Sequence, residues 1–243
     1  VEELKKNNVG TQFIHRHGDK QTNYHFVLWY DVERTILVNH VEYAYKMPKI
    51  ATAPKWMYLS SLASNSLDYH FELIEYLKKN PSVKLCFQPG TFQMKQGIQK
   101  LKDIYQRTEV FVVNVEEAQR ILATESRDVK MLMAELHALG PKIVLVTDGP
   151  KGAYMLDGEH FYYMPIYPDP KPPVARTGCG DSFAATFVSA LQMGKSPLEA
   201  LVWAPVNPMS VVQYVGAQEG LLDRPHLEWF LAHAPVDYKP REI

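Results

Sequence analysis

Short apolar strands alternate with helical segments along most of this chain, and this alternation constrains the fold more than any other feature. The predicted strands are Lys55–Leu59, Val83–Phe87, Val110–Val113 and Ile143–Thr147, and the predicted helices are Leu67–Lys79, Val115–Leu122 and Val129–Leu139. Nearly continuous apolar strands are typical of a parallel sheet that is buried on both faces. The pattern therefore predicts a three-layer, Rossmann-like α/β fold, a mainly parallel sheet flanked by helices.

The first fifty residues follow a different pattern. Three β-rich stretches, Thr11–His15, Tyr24–Tyr30 and Thr35–Asn39, are separated by polar turns, which predicts a small antiparallel β lid. The preceding segment, Val1–Lys6, has the pattern of a charged amphipathic helix and not that of a signal peptide. We therefore expect two regions: 1–50 with the lid strands and their preceding helix, and 51–243 as the α/β core.

Two glycines surround Cys179 in the segment Arg176–Asp181, directly before an apolar helix. The amides of Gly178, Cys179 and Gly180 would point at one place near the positive end of that helix, which favours an anion there. Asp181 at the same place suits a general base that takes a proton from a hydroxyl attacking a phosphate. The alternative is a plain helix cap by Asp181.

Other phosphate-binding motifs do not fit the chain. A dinucleotide fingerprint needs a third Gly or Ala where Phe183 stands, and no P-loop sequence occurs. The formal net charge is −1 and the charges are spread along the chain, so no nucleic-acid footprint is indicated. No apolar run is long enough to span a membrane. Cys86 and Cys179 lie far apart in the sequence, and we expect a reducing, cytoplasmic location.

Four further segments complete a recognisable order of motifs. They are Arg34–Val38 with an Arg-Thr dipeptide, Asn114–Ala118 with the pattern N-x-x-E, Val146–Ala153, and Asn207–Ala217. Together with a G-A-G-D signature in which Cys179 replaces Ala, this set resembles the ribokinase-like (PfkB) carbohydrate kinase family. The resemblance covers most of the chain and implies the ribokinase-like version of the predicted fold.

The resemblance implies a phosphotransferase with an alcohol group as acceptor, which transfers the γ-phosphoryl group of ATP to a hydroxyl of a sugar or nucleoside. Asp181 would be the catalytic base, and the amides of Gly178, Cys179 and Gly180 would form the anion hole. The alternative is a catalytically silent member that binds a nucleotide or sugar as a regulatory module. Whether the acceptor is ribose, fructose, a sugar phosphate or a nucleoside stays open.

The resemblance also implies the residues that bind ATP and Mg²⁺. Asn114 and Glu117 would hold Mg²⁺ through water, and their alternative is a helix cap with a solvated acid. The nucleotide-binding residues would be Thr147, Asp148, Gly149 and Gly152, together with Asn207 and Gly216 on the adenine side. For the segment 147–152, an ordinary hairpin turn is the alternative.

The chain also departs from the family pattern at several places. No first strand, substrate-binding Asp or Gly-Gly-Asn segment precedes the lid, so we expect that an N-terminal region is absent and that the acceptor-binding residues lie there. Gln88-Pro89-Gly90 stands where many relatives have Asp-Pro-Asn. Ala175 stands where relatives that depend on K⁺ have Asp. Through its lid strands, the protein is also expected to form a homodimer.

Overall fold

The computed structural model of the protein describes residues 1–30, 33–39 and 41–243, with the backbone alone at residues 29, 30, 33, 34, 36 and 38. The strands among these residues are β1 (Tyr24–Tyr30), β2 (Glu33–Asn39), β3 (Trp56–Leu59), β4 (Lys84–Phe87), β5 (Val110–Asn114), β6 (Ile143–Thr147), β7 (Ala153–Asp157), β8 (His160–Met164) and β9 (Arg241–Glu242). The helices are α1 (Glu2–Lys6), α2 (Leu67–Lys79), α3 (Thr91–Gln96), α4 (Lys102–Arg107), α5 (Val115–Leu122), α6 (Val129–Ala138), α7 (Cys179–Gln192), α8 (Pro197–Trp203), α9 (Val206–Val211) and α10 (Arg224–Ala232).

The central sheet contains β3 to β9 in chain order within the described part of the molecule. Strands β3 to β6 are parallel, and β6 to β9 pair antiparallel, so the sheet is mixed. Helices cover both of its faces, which confirms the predicted α/β fold class. The candidate site is positioned by the parallel half of the sheet and by the helices that connect its strands.

Alternate residues of the central strands enter two separate apolar clusters, one on each face of the sheet. On β5, Val110 and Val112 pack into the cluster that includes residues of α7, α8 and α9. Phe111 and Val113 pack into the opposite cluster, with residues of α2, α4, α5 and α6. Burying each of these side chains contributes about 1.5–3 kcal/mol to folding. The two clusters make the fold three layers thick.

The predicted strands and helices of the core are confirmed to within one residue at each end. Helix α2 buries His70, Leu73, Ile74 and Leu77, a spacing that places them on one face of a helix. Helix α5 begins at Val115 because Asn114 and Glu117 form a reciprocal capping box. Among the described residues, no helix has the length and apolarity needed to cross a bilayer.

The lid is an antiparallel pair, in which β1 pairs with β2 from Tyr24–Asn39 to Tyr30–Glu33. The predicted helix at the start of the chain is confirmed as α1. The predicted extended stretch Thr11–His15 is wrong, because it contains a turn at Gln12 and Phe13 and pairs with no strand of the described residues. The Arg-Thr dipeptide lies on β2, and the side chain of Arg34 is outside the described part of the structure.

Candidate active site

Three adjacent parallel strands end at one edge of the sheet, and a polar residue stands at each end. Gln88 follows β4 directly, Asn114 ends β5 and Thr147 ends β6. Asn114 and Thr147 are register partners across β5 and β6. In open α/β sheets, ligands bind in the crevice outside the carboxyl ends of the strands. These three residues therefore mark the edge of the sheet where a ligand site is expected.

Helix α7 begins beside this edge, at the glycine-rich signature. Its N-cap is Gly178, which has a φ of +84° and makes no side-chain capping bond. A Cβ atom at Gly178 would lie 2.7 Å from the Cβ of Ala217. Both the left-handed backbone and the close approach of Ala217 therefore require glycine at this position. The predicted helix start at the signature is confirmed, and Asp181 is the third residue of the helix.

The backbone amides at the start of α7 differ in their hydrogen bonding. The amide of Ser182 donates to the Gly178 carbonyl at 2.8 Å, and that of Cys179 donates to the Arg176 carbonyl at 3.5 Å. The amides of Gly180 and Asp181 donate to no acceptor among the described residues. Because the first amides of a helix lack partners within it, this turn can hold an anion.

Asp181 does not cap the helix, so the capping alternative does not describe its side chain. Its Oδ1 accepts a hydrogen bond from Gln88 Nε2 at 3.1 Å. The Tyr58 hydroxyl donates in turn to Gln88 Oε1. Partial burial raises the pKa of Tyr58, and the nearby Cys86 and Asp181 raise that pKa further. Tyr58, Gln88 and Asp181 thus form a continuous chain of hydrogen bonds from β3 to α7.

Asn114 and Glu117 form a helix cap, which was the sequence-based alternative to a Mg²⁺ site. Glu117 N donates to Asn114 Oδ1 at 2.8 Å, and Asn114 N donates to Glu117 Oε2 at 2.9 Å. Burial raises the pKa of Glu117, opposed by the Asn114 amide and Arg120, while Asp181 and Glu116 raise that pKa further. Both residues also line a cavity, so the cap does not remove them from the site.

Two cavities meet at this edge of the sheet. The larger has a volume of about 370 Å³, and the smaller has about 260 Å³. They share the residues Asn114, Thr147, Arg176 and Gly180. The larger cavity has an apolar wall, formed by Pro165, Ile166, Tyr167, Phe183, Pro208, Met209 and Val212 among others. The smaller cavity contains Gln88, Glu117, Gly178 and Asp181. An apolar compartment therefore opens onto an acidic one at the start of α7.

The structure brings together some of the expected nucleotide-binding residues. Thr147, Gly149 and Gly152 line the larger cavity, with Cys179 and Gly180. Asp148 lies in neither lining, and its carboxylate pairs with Arg127 at 3.2 Å and Lys151 at 3.3 Å. Only part of the predicted turn therefore faces the cavity.

Asn207 and Gly216 also lie outside both linings. Asn207 is buried inside α9, where its amide donates to Thr186 Oγ1 and its Oδ1 accepts from the Leu222 amide, each at 3.0 Å. Helix α9 instead contributes Pro208, Met209 and Val212 to the larger cavity. Asn207 therefore joins three segments of the protein, and its apolar neighbours in α9 form the wall.

Gln88 was noted in the sequence only as a departure from the family pattern. Its position directly after a buried strand, at the same sheet edge as Asn114, is the signal that could have placed it in the site. Tyr58 carries no such signal, because it lies within β3 and reaches the site only through the side chain of Gln88.

The family model described as "pfkB family carbohydrate kinase" matches residues 1–224, and the chain therefore belongs to this family. A cytidine kinase from Thermococcus kodakarensis is 38% identical over 104 residues, which cover 42% of this chain and only 36% of that relative. A fructokinase from Vibrio cholerae, solved with fructose, ADP and calcium, has 18% identity and a TM-score of 0.78 over 95% of this chain and 80% of its own. A nucleoside kinase from Methanocaldococcus jannaschii has 17% identity and a TM-score of 0.76 over 96% of this chain and 75% of its own. At these identities, the two structural matches show the ribokinase-type fold.

Proposed function

We propose that the protein is an ATP-dependent kinase that phosphorylates a hydroxyl group of a sugar or nucleoside. The observation that carries this proposal is that two cavities meet at Gly180, whose amide has no acceptor among the described residues, and that Asp181 lines one of them. A binding module has no use for a carboxylate beside an anion site, because the negative charge repels the anion. Membership of the family supports the same assignment.

In this proposal the nucleotide occupies the larger cavity. Its apolar wall, with Tyr167, Phe183 and Met209, suits the flat face of a purine base. Thr147, Gly149 and Gly152 lie along the same cavity toward the ends of the strands. Arg176, shared by both cavities, carries a planar fork that matches phosphate oxygens. The fructokinase named above was solved with ADP, which supports a nucleotide as one ligand of this fold.

The acceptor occupies the smaller cavity, whose volume of about 260 Å³ suits one sugar ring. Asp181 accepts the proton of the attacking hydroxyl, which makes the oxygen a better nucleophile as the bond to phosphorus forms. The amides of Gly178, Cys179 and Gly180 hold the negative charge of the transferring group at the positive end of α7. The cytidine kinase and the fructokinase named above indicate the two acceptor classes to test.

Asn114 and Glu117 are suited to holding Mg²⁺ through water. Glu117 Oε2 accepts the Asn114 amide, and its second carboxylate oxygen accepts no bond from the described residues, which leaves a hard oxygen for a hydrated ion. A bound Mg²⁺ would neutralise charge on the phosphates. The capping box serves this role too, since it sets the direction of both side chains at the start of α5.

The lid strands are proposed as the contact of a homodimer. Tyr24, Phe26 and Leu28 alternate along β1 and are exposed, and Leu37 on β2 is the exposed register partner of Phe26. Val27 lies on the other face of β1 and lines the smaller cavity. A second lid would cover the exposed apolar face. A cytoplasmic location is proposed as well, since Cys86 and Cys179 form no disulfide with each other.

The function is tested by a coupled assay with ATP and a panel of sugars and nucleosides, on the protein and on Asp181→Asn. Asparagine keeps the size of the side chain but cannot accept the proton. We expect kcat to fall by about 10²–10⁴-fold, with the Kd for ADP nearly unchanged. Asp103→Asn, on the exposed side of α4, is the matched control and should keep full activity.

The assignment of the base is wrong if Asp181→Asn stays within a few-fold of the parent protein. In that case, or if no acceptor is phosphorylated, the silent binding module becomes the better description. Because ADP binding is measured separately, a loss of folding is distinguished from a loss of chemistry.

A further inference from the structure

The side chain of Gln88 lies between the β-sheet and the carboxylate of Asp181. Its backbone amide donates to the Leu59 carbonyl at 2.9 Å, so its main chain is held by the neighbouring strand β3. Its side chain lines the smaller cavity. A Cβ atom at Gly180 would lie 3.9 Å from Gln88 Nε2. The amide group therefore stands beside both the anion site and the proposed base.

The orientation of this amide is set from both of its ends. A carboxylate only accepts hydrogen bonds, so the NH₂ group of Gln88 must face Asp181, and the contact is 3.1 Å. The carbonyl end then faces Tyr58, whose hydroxyl donates to it. Because the pKa of Tyr58 is raised, that hydroxyl keeps its proton at neutral pH. A flipped amide would turn its carbonyl oxygen toward the carboxylate and lose the bond to Asp181.

We propose that Gln88 is a positioning residue, whose amide holds Oδ1 of Asp181 and leaves Oδ2 to accept the proton of the acceptor hydroxyl. This inference rests on the proposed function of Asp181 as the base. In this chain a neutral amide fits the position, because a glutamate of the same length at position 88 would stand at hydrogen-bond distance from Asp181 and repel it. Tyr58 stabilises this arrangement at the other end of the amide, because its hydroxyl donates a hydrogen bond to Gln88 Oε1.

Positioning and packing make opposite predictions for two substitutions of Gln88. Glutamate has nearly the same size and shape as glutamine, so a packing role ranks Gln88→Glu above Gln88→Ala in activity. Under the positioning role, Gln88→Ala only releases the carboxylate, whereas Gln88→Glu repels it from its place. The order of the two variants is then reversed, with Gln88→Glu the less active one.

The test measures kcat and the KM for ATP for both variants, and the Kd for ADP by calorimetry. We expect kcat to fall by about 10–100-fold in Gln88→Ala and further in Gln88→Glu, with KM and the Kd for ADP changed by less than a factor of about two. Tyr58→Phe, which only frees the amide to rotate, should lower kcat less than Gln88→Ala does. Gln99→Glu, in an exposed turn, adds the same charge outside the site and should retain full activity.

A Gln88→Glu protein more active than Gln88→Ala would overturn the proposal, as would a rise in KM at unchanged kcat. Failure of the proposed function is recognised separately, since the wild-type protein would then phosphorylate no acceptor. In that case, crystal structures of the wild-type protein and of Gln88→Ala decide whether Gln88 positions the Asp181 carboxylate. An Asp181 carboxylate that leaves its place in Gln88→Ala supports the proposal, and one that stays in place in Gln88→Ala overturns it.

Discussion

Two glycines of the signature have different physical roles, although they are only two residues apart. Gly178 has a left-handed backbone and is packed against Ala217, whereas Gly180 lies in the first turn of α7, where a Cβ atom would make only an ordinary contact of 3.9 Å with Gln88 Nε2. The first glycine is therefore needed by the fold. The fold places no such requirement on Gly180, which we propose serves the ligand near its amide, since both cavities extend to it.

This difference predicts opposite effects of two alanine substitutions. Gly178→Ala should destabilise the protein by about 1–3 kcal/mol because of backbone strain, and the clash with Ala217 adds to that cost. Gly180→Ala should keep or slightly raise the stability, because alanine is the better helix former. Its methyl group should nevertheless lower kcat by about 10²-fold by displacing the reacting groups. Urea unfolding and the coupled assay measure both; equal stabilities would contradict the prediction.

Because position 175 is alanine, we predict that activity depends little on K⁺. It is buried, and its amide donates to the Val212 carbonyl at 3.2 Å, so the position supplies no anionic ligand. The loss of an anionic ligand removes Coulomb attraction from a monovalent-cation site and weakens it. Replacing tetramethylammonium with K⁺ in the assay should change kcat less than about twofold; strong activation by K⁺ would refute this.

At the scale of the elements, a buried polar network holds the segment that carries Gln88. His70 of α2 bonds the Ser66 carbonyl through Nδ1 at 2.7 Å, and Gln93 Nε2 lies 3.0 Å from His70 Nε2. Nδ1 donates to a carbonyl and the Gln93 NH₂ group can only donate, so His70 Nε2 must be the unprotonated acceptor. Gln93 Oε1 also accepts the Gly90 amide at 2.8 Å, and Gly90, two residues after Gln88, is the N-cap of α3. A neutral His70 is therefore required beneath the site.

This network predicts that stability falls on acidification. Burial lowers the pKa of His70, although the bond to Ser66 opposes the effect. The unfolded chain, with an ordinary histidine pKa of about 6.5, takes up the proton more readily. The stabilisation is complete above that pH and decreases as the pH falls below it, by at most about 1.4 kcal/mol per pH unit. Unfolding by urea between pH 5 and 8 measures the slope.

His70→Gln should be less stable than the parent protein at pH 8, but its stability should depend less on pH below 6.5. His25→Gln, on the exposed strand β1, is the control and should keep the parental slope. An unchanged slope in His70→Gln would show that other groups cause the pH dependence.

At the scale of the whole molecule, the lid connects the site to an outer surface. One face of β1 contributes Val27 to the smaller cavity, and the other exposes Phe26 by 60% beside Leu37 at 50%. A two-stranded ribbon by itself is marginally stable in water. If the lid of a second molecule covered this outer face, it would stabilise the ribbon. It would also stabilise the wall that β1 contributes to the smaller cavity.

We predict that Phe26→Lys converts a dimer formed through the lid into a monomer. In this variant, the two lysine charges would face each other across the apolar contact between the lids. Sedimentation equilibrium at micromolar concentration measures the mass. Val236→Lys, at a site that is 93% exposed, is the control and should leave the mass unchanged. A wild-type protein that sediments as a monomer would contradict dimerisation through the lid.

The sequence by itself determined the features that depend on near neighbours in the chain. Alternating apolar patterns decide which face of a strand or helix is buried, so the core elements were predictable to within a residue. The glycines of the signature and the capping box of Asn114 and Glu117 act within a few residues, so their helix starts were predictable too. The predicted extended stretch Thr11–His15 was wrong because a β-strand forms only where another strand pairs with it.

Only the tertiary structure decided what joins residues that are far apart. Gln88 and Asp181 are 93 residues apart, and no local pattern connects them. Asn207 faces the interior and Asp148 pairs with Arg127 because a polar group removed from water takes the nearest available partner. Which partner is nearest depends on how the layers pack, and sequence spacing contains no record of that packing.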